Sequence, residues 1–181
     1  MARKPSATPT IYLGHGAAGT AASMKPYIKA LASRGFEAEA VNLRRGNSVP
    51  KAERAVPEFL SAVPAGSIAG GHSFGGRVAS MAALETSYAG LVLLSYPLHR
   101  PGHPELLRTE HWPRIKSPVL LLSGESDPFA RLDLLKTSVN LLPNARLITF
   151  PRVGHGLLPV LDDAMDRVAA FVREVIAQPT P

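Results

Sequence analysis

The segment Gly71–Gly75, which reads GHSFG, places Ser73 between two glycines in the pattern G-x-S-x-G. It follows a short predicted strand and opens a predicted helix, the context that a sharp strand-to-helix turn requires. Such a turn would hold the Ser73 hydroxyl out at the edge of a sheet, where the helix N-terminus favours developing negative charge. Ser73 is therefore a candidate nucleophile. The alternative is a glycine-rich turn with an incidental serine.

The segments that must position Ser73 alternate between short apolar runs and stretches with helical periodicity. The apolar runs predict strands over 11–13, 36–43, 67–71, 90–95, 118–123 and 145–150. The periodic stretches predict helices over 24–31, 52–63, 74–85, 132–142 and 161–176. Pro57 is expected to kink the second helix or delay its start. Strand and helix alternate about six times, which indicates an α/β protein with a doubly wound, mostly parallel sheet and helices on both faces. In such sheets, ligands bind beyond the carboxyl ends of the strands.

GHSFGG resembles the nucleophile elbow of the α/β-hydrolase superfamily. That resemblance implies an acid and a histidine later in the chain, in this order. The loop GESDPF, which follows the fifth predicted strand, supplies Asp127, and the loop VGHG, which follows the last, supplies His155. The resemblance assigns Ser73 as nucleophile, His155 as general base and Asp127 as the carboxylate that orients the imidazole. Glu125 in the same loop is the alternative acid, although Asp127 fits the G-x-x-D placement of the family.

The same resemblance implies two backbone donors for a tetrahedral oxyanion. One is the N–H of Phe74, directly after the nucleophile. The other belongs to the loop after the first strand, whose sequence HGAAG is similar to the His-Gly oxyanion motif of the family, and Ala17 is the expected donor with Ala18 as the alternative. His15 is expected to be a hydrogen-bonded residue of that turn, and His72 to pack beside the elbow.

The resemblance is to a reduced version of the fold, with six parallel strands in the order 2-1-3-4-5-6 and no opening antiparallel hairpin. A 22-residue irregular connection over 96–117 stands where larger relatives insert a lid. Its sequence, with the later SDPF, is similar to a small bacterial group related to dienelactone hydrolases and to testis-expressed hydrolase-like proteins. True dienelactone hydrolases use cysteine, so Ser73 departs from their pattern.

Five further side chains invite binding roles. Arg44 and Arg45 follow the second strand and could attract a carboxylate on a substrate, although a solvated basic turn is the simpler interpretation. His99 and Trp112 lie in the 96–117 connection and are expected to border the pocket. His99 and His103 have the spacing H-x₃-H, but Pro101 makes a helix there improbable, so no metal site is predicted.

Composition limits the function classes. The chain has 181 residues, 45% of them apolar, and no cysteine, which excludes disulfides, thiolate metal sites and a cysteine nucleophile. We expect a single domain over 1–181, with 1–9 as a flexible N-terminal tail. The start of the sequence lacks the apolar region of a signal peptide, and no apolar run is long enough to span a membrane, so a cytoplasmic protein is predicted. The net charge of +6 arises within the first 54 residues. These basic residues are scattered, which argues against nucleic acid as a partner.

These expectations combine into one prediction of function. The chain is predicted to be a lidless serine hydrolase that cleaves small or medium carboxylic esters through an acyl-enzyme, without a cofactor. Its predicted partner is a small-molecule ester, and the sequence leaves the oligomeric state open. Two alternatives are a non-catalytic binding module on the same fold, and a thioesterase or acyltransferase that uses the same three residues.

Overall fold

The computed structural model describes residues 8–44 and 51–177. Within them lies a six-stranded sheet whose strands all run parallel, in the order β2-β1-β3-β4-β5-β6. The strands are β1 (Ile11–Gly14), β2 (Ala38–Val41), β3 (Ile68–His72), β4 (Gly90–Leu94), β5 (Val119–Gly124) and β6 (Ala145–Phe150). The predicted fold class and strand order are therefore confirmed.

Among the described residues, five α-helices connect or follow these strands: α1 (Lys25–Ala32), α2 (Ala52–Ala62), α3 (Phe74–Ala82), α4 (Leu132–Ser138) and α5 (Leu161–Ala177). Short 3₁₀ turns occur at Ala21–Met24, Trp112–Arg114, Val139–Leu141 and Leu158–Val160. In the part of the chain that the structure describes, no helix combines the length and apolar character needed to cross a membrane.

The sheet has a buried core on each face, as the continuous apolar strands predict. Successive side chains of β4 point to opposite faces: Leu91 and Leu93 pack with α2 and α3, whereas Val92 and Leu94 pack with α1 and α5. Both faces of the central strands are thus covered by helices. The carboxyl ends of the strands remain as the edge at which loops can form a site.

Helix α2 and strand β2 illustrate how the elements depart from the sequence prediction. Helix α2 begins at Ala52 and contains Pro57, so the expected delay does not occur. Pro57 lies on the exposed side of the helix, where water can satisfy the carbonyl that loses its partner. Strand β2 is shorter than predicted because it has one partner, β1, which pairs with it over four residues only.

The 96–117 connection packs against the helical layer that includes α3. Trp112 is wholly buried, and its ring meets that of Tyr96 edge-on at 5.0 Å between centroids. The Tyr96 hydroxyl donates to the backbone oxygen of Arg108 at 2.7 Å, which closes the connection on itself. His111 is buried as well, and its Nε2 lies 2.8 Å from Ser80 Oγ on α3. Ser80 Oγ donates to the Arg77 carbonyl, so His111 Nε2 carries the hydrogen toward Ser80.

This buried histidine predicts a pH dependence of stability. Burial, reinforced by the charge of Arg77, lowers the pKa of His111 to about 4. In the unfolded chain the histidine has its ordinary pKa of about 6.5. The contribution of His111 to the free energy of unfolding is therefore fully present above that pH and is lost as the pH drops toward 4. Urea midpoints measured at about pH 7.5 and about pH 4.5 are expected to fall more for wild type than for His111→Gln, which keeps a donor toward Ser80. Equal losses in the two proteins would contradict this account.

Candidate active site

Ser73 occupies a strained turn between β3 and α3. Its backbone has φ 51° and ψ −113°, and residues other than glycine rarely adopt such a positive φ. Hydrogen bonds hold the residue on both sides: its N–H donates to the Leu94 carbonyl at 2.8 Å, and its carbonyl accepts from the Arg77 N–H at 3.1 Å. Gly75 lies against the backbone of Gly14 in β1, since a Cβ at position 75 would stand 2.2 Å from the Gly14 carbonyl atoms. The turn therefore has the tight packing of an elbow.

The structure brings together the three side chains that the resemblance assigned. His155 Nε2 lies 2.8 Å from Ser73 Oγ. His155 Nδ1 lies 2.8 Å from Asp127 Oδ2 and 3.0 Å from Oδ1. A carboxylate only accepts, so Nδ1 carries the hydrogen and Nε2 is left free to accept the proton of Ser73. This geometry matches the arrangement in which a carboxylate and an imidazole can activate a serine hydroxyl.

Asp127 is fixed in its loop after β5 by burial and by the backbone. Its side chain is fully buried, and Oδ1 accepts from the Phe129 N–H at 2.8 Å. Phe129 in turn places its ring on the imidazole of His155, at 4.3 Å between centroids. One face of His155 is thus covered, yet 24% of its side chain stays exposed. The imidazole of His155 is therefore oriented while part of it remains exposed.

The loop after β1 faces the elbow and is held by His15. The imidazole Nδ1 of His15 donates to the Gly16 carbonyl at 2.8 Å, and its buried Nε2 accepts from the Leu43 N–H at 3.1 Å. The Gly16 carbonyl also accepts from the Gly19 N–H at 3.0 Å. Two donors therefore fix the peptide group that joins Gly16 to Ala17, with the Ala17 N–H on the side opposite the carbonyl.

Phe74, the other residue whose N–H was expected to face an oxyanion, is the first residue of α3 and directly follows Ser73.

A cavity of about 490 Å³ opens beside Ser73. Its walls come from the loop after β1, the start of α1, the elbow and the loops after β5 and β6; the lining residues are Gly16, Ala17, Ala18, Gly19, Ser23, Met24, Tyr27, His72, Ser73, Phe129, His155, Gly156 and Leu158. None of these lining residues is a lysine, arginine, aspartate or glutamate. The cavity is therefore suited to uncharged groups.

Arg44, another candidate binding residue, does not line this cavity. Arg44 is exposed and pairs with Glu58 at 3.5 Å. It borders a hollow of about 350 Å³, which shares the lining residue Gly19 with the serine cavity, and also a larger hollow of about 710 Å³ between β2 and α2. Arg45 lies outside the described residues.

His99 and Trp112 are placed differently from the expectation that they border the pocket, because both are buried outside the lining of the serine cavity. His99 instead accepts from the Arg131 N–H at 3.0 Å and so ties the 96–117 connection to the loop that carries Asp127. Across residues 8–44 and 51–177, no group of three or more histidine, aspartate or glutamate side chains could hold a metal ion.

Several contacts of the site were not predicted from the sequence. Phe129 covers His155, and Tyr27 and Leu158 form apolar walls of the cavity. His72 bonds to the backbone of His155 as well as packing beside the elbow. Only Phe129 had a local signal, since it follows the acid in the SDPF segment. The others meet the site through tertiary packing.

Comparison with known proteins identifies the family. A protein-family model described as an α/β hydrolase domain matches residues 8–176, which is nearly the whole chain. The chain therefore belongs to the α/β-hydrolase superfamily, in agreement with its sheet topology.

Solved structures with the same fold include several esterases and lipases. Est1E from Butyrivibrio proteoclasticus, solved with ferulic acid bound, is 16% identical over 94% of this chain and 90% of its own, with a TM-score of 0.76. A thermophilic esterase from Thermogutta terrifontis, solved with malate bound, is 18% identical over 93% and 91%, with a TM-score of 0.73. A monoacylglycerol lipase from Paleococcus ferrophilus is 17% identical over 94% and 96%, with a TM-score of 0.72. At these identities the likeness to the solved structures shows the fold alone, and the family match supports hydrolase activity.

Proposed function

We propose that the protein is a serine hydrolase that cleaves small or medium carboxylic esters through an acyl-enzyme on Ser73. The observation that carries this proposal is the relay from Ser73 Oγ to His155 and on to the buried Asp127, with 2.8 Å at each step. A serine hydroxyl is a weak nucleophile until an adjacent base takes its proton, and these distances suit that transfer.

In the proposed reaction, Ser73 Oγ attacks the ester carbonyl while its proton moves to His155 Nε2. Asp127 stabilises the resulting imidazolium. The Phe74 and Ala17 N–H groups are the proposed donors to the oxyanion, and the fixed Gly16 carbonyl supports the orientation of the second. Collapse expels the alcohol, which takes the proton from His155. A water molecule then attacks the acyl-enzyme with His155 as base, which releases the carboxylic acid and restores Ser73.

The cavity supports a small, uncharged ester as the substrate. Its walls are mainly apolar, and the described residues that line it carry no permanently charged side chain. Arg44 remains a proposed contact for an acidic group on a longer substrate, because its hollow and the cavity share the lining residue Gly19. We further propose that the chain is one cytoplasmic catalytic domain, in which the 96–117 connection replaces a lid. We also propose that it belongs to the group related to dienelactone hydrolases.

A fluorophosphonate probe tests the proposed function directly. Native wild type is expected to be labelled, whereas Ser73→Ala and heat-denatured wild type are not, because the probe reacts only with an activated serine. An ester panel containing neutral and carboxylate-bearing members and a lactone then defines the substrate class. Product analysis with added alcohols or acyl-CoA separates hydrolysis from acyl transfer and from thioester cleavage.

The contrary outcome is a folded wild type that neither the fluorophosphonate nor a smaller sulfonyl fluoride labels. The smaller reagent removes steric exclusion as an explanation. That result would refute an activated Ser73 and favour a non-catalytic binding module on this fold.

A further inference from the structure

His72, the residue immediately before Ser73, makes a hydrogen bond to the loop that carries His155. Its Nε2 lies 3.0 Å from the backbone oxygen of His155. A carbonyl oxygen only accepts, so Nε2 carries the hydrogen and donates. The bond joins residues 83 positions apart and connects the end of β3 to the loop after β6.

The imidazole of His72 is itself held on several sides. Tyr27 stacks on it at 6.4 Å between ring centroids, with 25° between the planes. Gly16 approaches its other nitrogen, since a Cβ at position 16 would stand 3.0 Å from Nδ1. The ring of His155 lies 5.3 Å away. The donor therefore has a defined position relative to both the elbow and the loop after β1.

The loop that receives this bond is packed in the core at Val153 and Leu157, but the residues between them are less packed. Glycines flank His155, and a Cβ added at Gly154 or Gly156 would meet nothing within 4 Å. The main chain is bonded at Val153, whose carbonyl accepts from the Ser126 N–H, and next at His155 through His72. The bond from His72 thus holds the backbone between two glycines whose positions have no side-chain packing.

We propose that His72 is a positioning residue that anchors the backbone of His155 to the elbow and so sets the distance between His155 Nε2 and Ser73 Oγ. The proposal rests on the proposed function. His72 and Ser73 are adjacent in the chain, so the nucleophile and the backbone of its base are tied to the same rigid turn. A misplacement of reacting groups by about 1 Å can cost about 100-fold in rate, which gives such an anchor a kinetic value.

The charge state of His72 is compatible with this role. Burial lowers the pKa of His72, and the nearby His155 lowers it further, although the bond to the His155 backbone and the charge of Asp127 act in the opposite direction. The ring is therefore neutral at neutral pH. It adds no positive charge beside His155 when that residue takes the proton of Ser73.

Two substitutions of similar size separate the hydrogen bond from the volume of the side chain. His72→Gln keeps an N–H donor near the position of Nε2, whereas His72→Met does not. With p-nitrophenyl acetate, we expect His72→Met to lower kcat by about 10- to 100-fold with little change in KM, and His72→Gln to recover most of that loss. Circular dichroism and urea midpoints establish that both variants are folded.

A readout without turnover keeps the two proposals distinct. The Nδ1–H proton of His155, which is bonded to Asp127, is expected to give a downfield NMR resonance in wild type and His72→Gln that weakens or shifts in His72→Met. An unchanged resonance and unchanged kcat in His72→Met would overturn the positioning role, as would equal impairment of the two folded variants. Failure of wild type to react with the serine probe would instead refute the proposed function.

Discussion

Replacing Asp127 by asparagine is expected to lower kcat for ester hydrolysis by roughly 10⁴-fold while the protein stays folded. Asp127 Oδ1 accepts from the Phe129 N–H, so the amide oxygen of an asparagine would take that place. Its NH₂ group would then face His155 Nδ1. Two donors cannot pair, so the imidazole would carry its hydrogen on Nε2 and lose the lone pair that accepts the proton of Ser73.

Glu125→Gln is the matched control, because Glu125 lies in the same loop and was the alternative acid. Its Oε1 accepts from Thr149 Oγ1 at 2.8 Å. Kinetics of both variants on one ester, with circular dichroism as a folding check, decide between the two carboxylates. A large loss in Glu125→Gln with near-normal rates in Asp127→Asn would reverse the assignment.

Gly75→Ala is expected to lower the free energy of unfolding by about 3 kcal/mol or more and to abolish activity with it. The new Cβ would stand 2.2 Å from the carbonyl atoms of Gly14. The obstacle is backbone, which cannot rotate away as a side chain can. Helix α3 would have to separate from β1, and that movement would displace Ser73.

Gly154→Ala provides the comparison, since a Cβ there would meet nothing within 4 Å although the position adjoins His155. Urea unfolding of the two variants measures the difference. The packing argument predicts a stable Gly154→Ala and a severely weakened or insoluble Gly75→Ala. A Gly75→Ala protein within about 1 kcal/mol of wild type would contradict it.

The sheet was predictable from the sequence because its central strands are continuous apolar runs of strand length. Runs such as GLVLLS cannot bury both faces except between two helical layers, and this requirement gives the layer order directly. Boundaries were less predictable because they depend on the length of the partner strand and on which side of a helix is exposed. The edge strand β2 is shorter than its pattern, and Pro57 lies inside α2 because its exposed side tolerates the lost bond.

The candidate site was predictable where it depends on chain order and not where it depends on packing. Ser73, Asp127 and His155 each follow a strand, so parallel topology gathers them at one edge of the sheet. The positions of the His99 and Trp112 side chains depend on how the 96–117 connection packs against the rest of the protein, which no local sequence pattern specifies. The same is true of the contact from His72 to the His155 backbone.

The burial of Trp112 has a practical consequence for spectroscopy. It is the only tryptophan in the sequence, and it is enclosed within the 96–117 connection, 5.0 Å from the ring of Tyr96. Its fluorescence therefore reports on one place in the molecule, and energy transfer from Tyr96 adds a second optical signal from the same contact. Loosening of the connection would shift the emission to longer wavelength even while the helices still give their circular dichroism. The protein thus carries an intrinsic optical probe of the 96–117 connection.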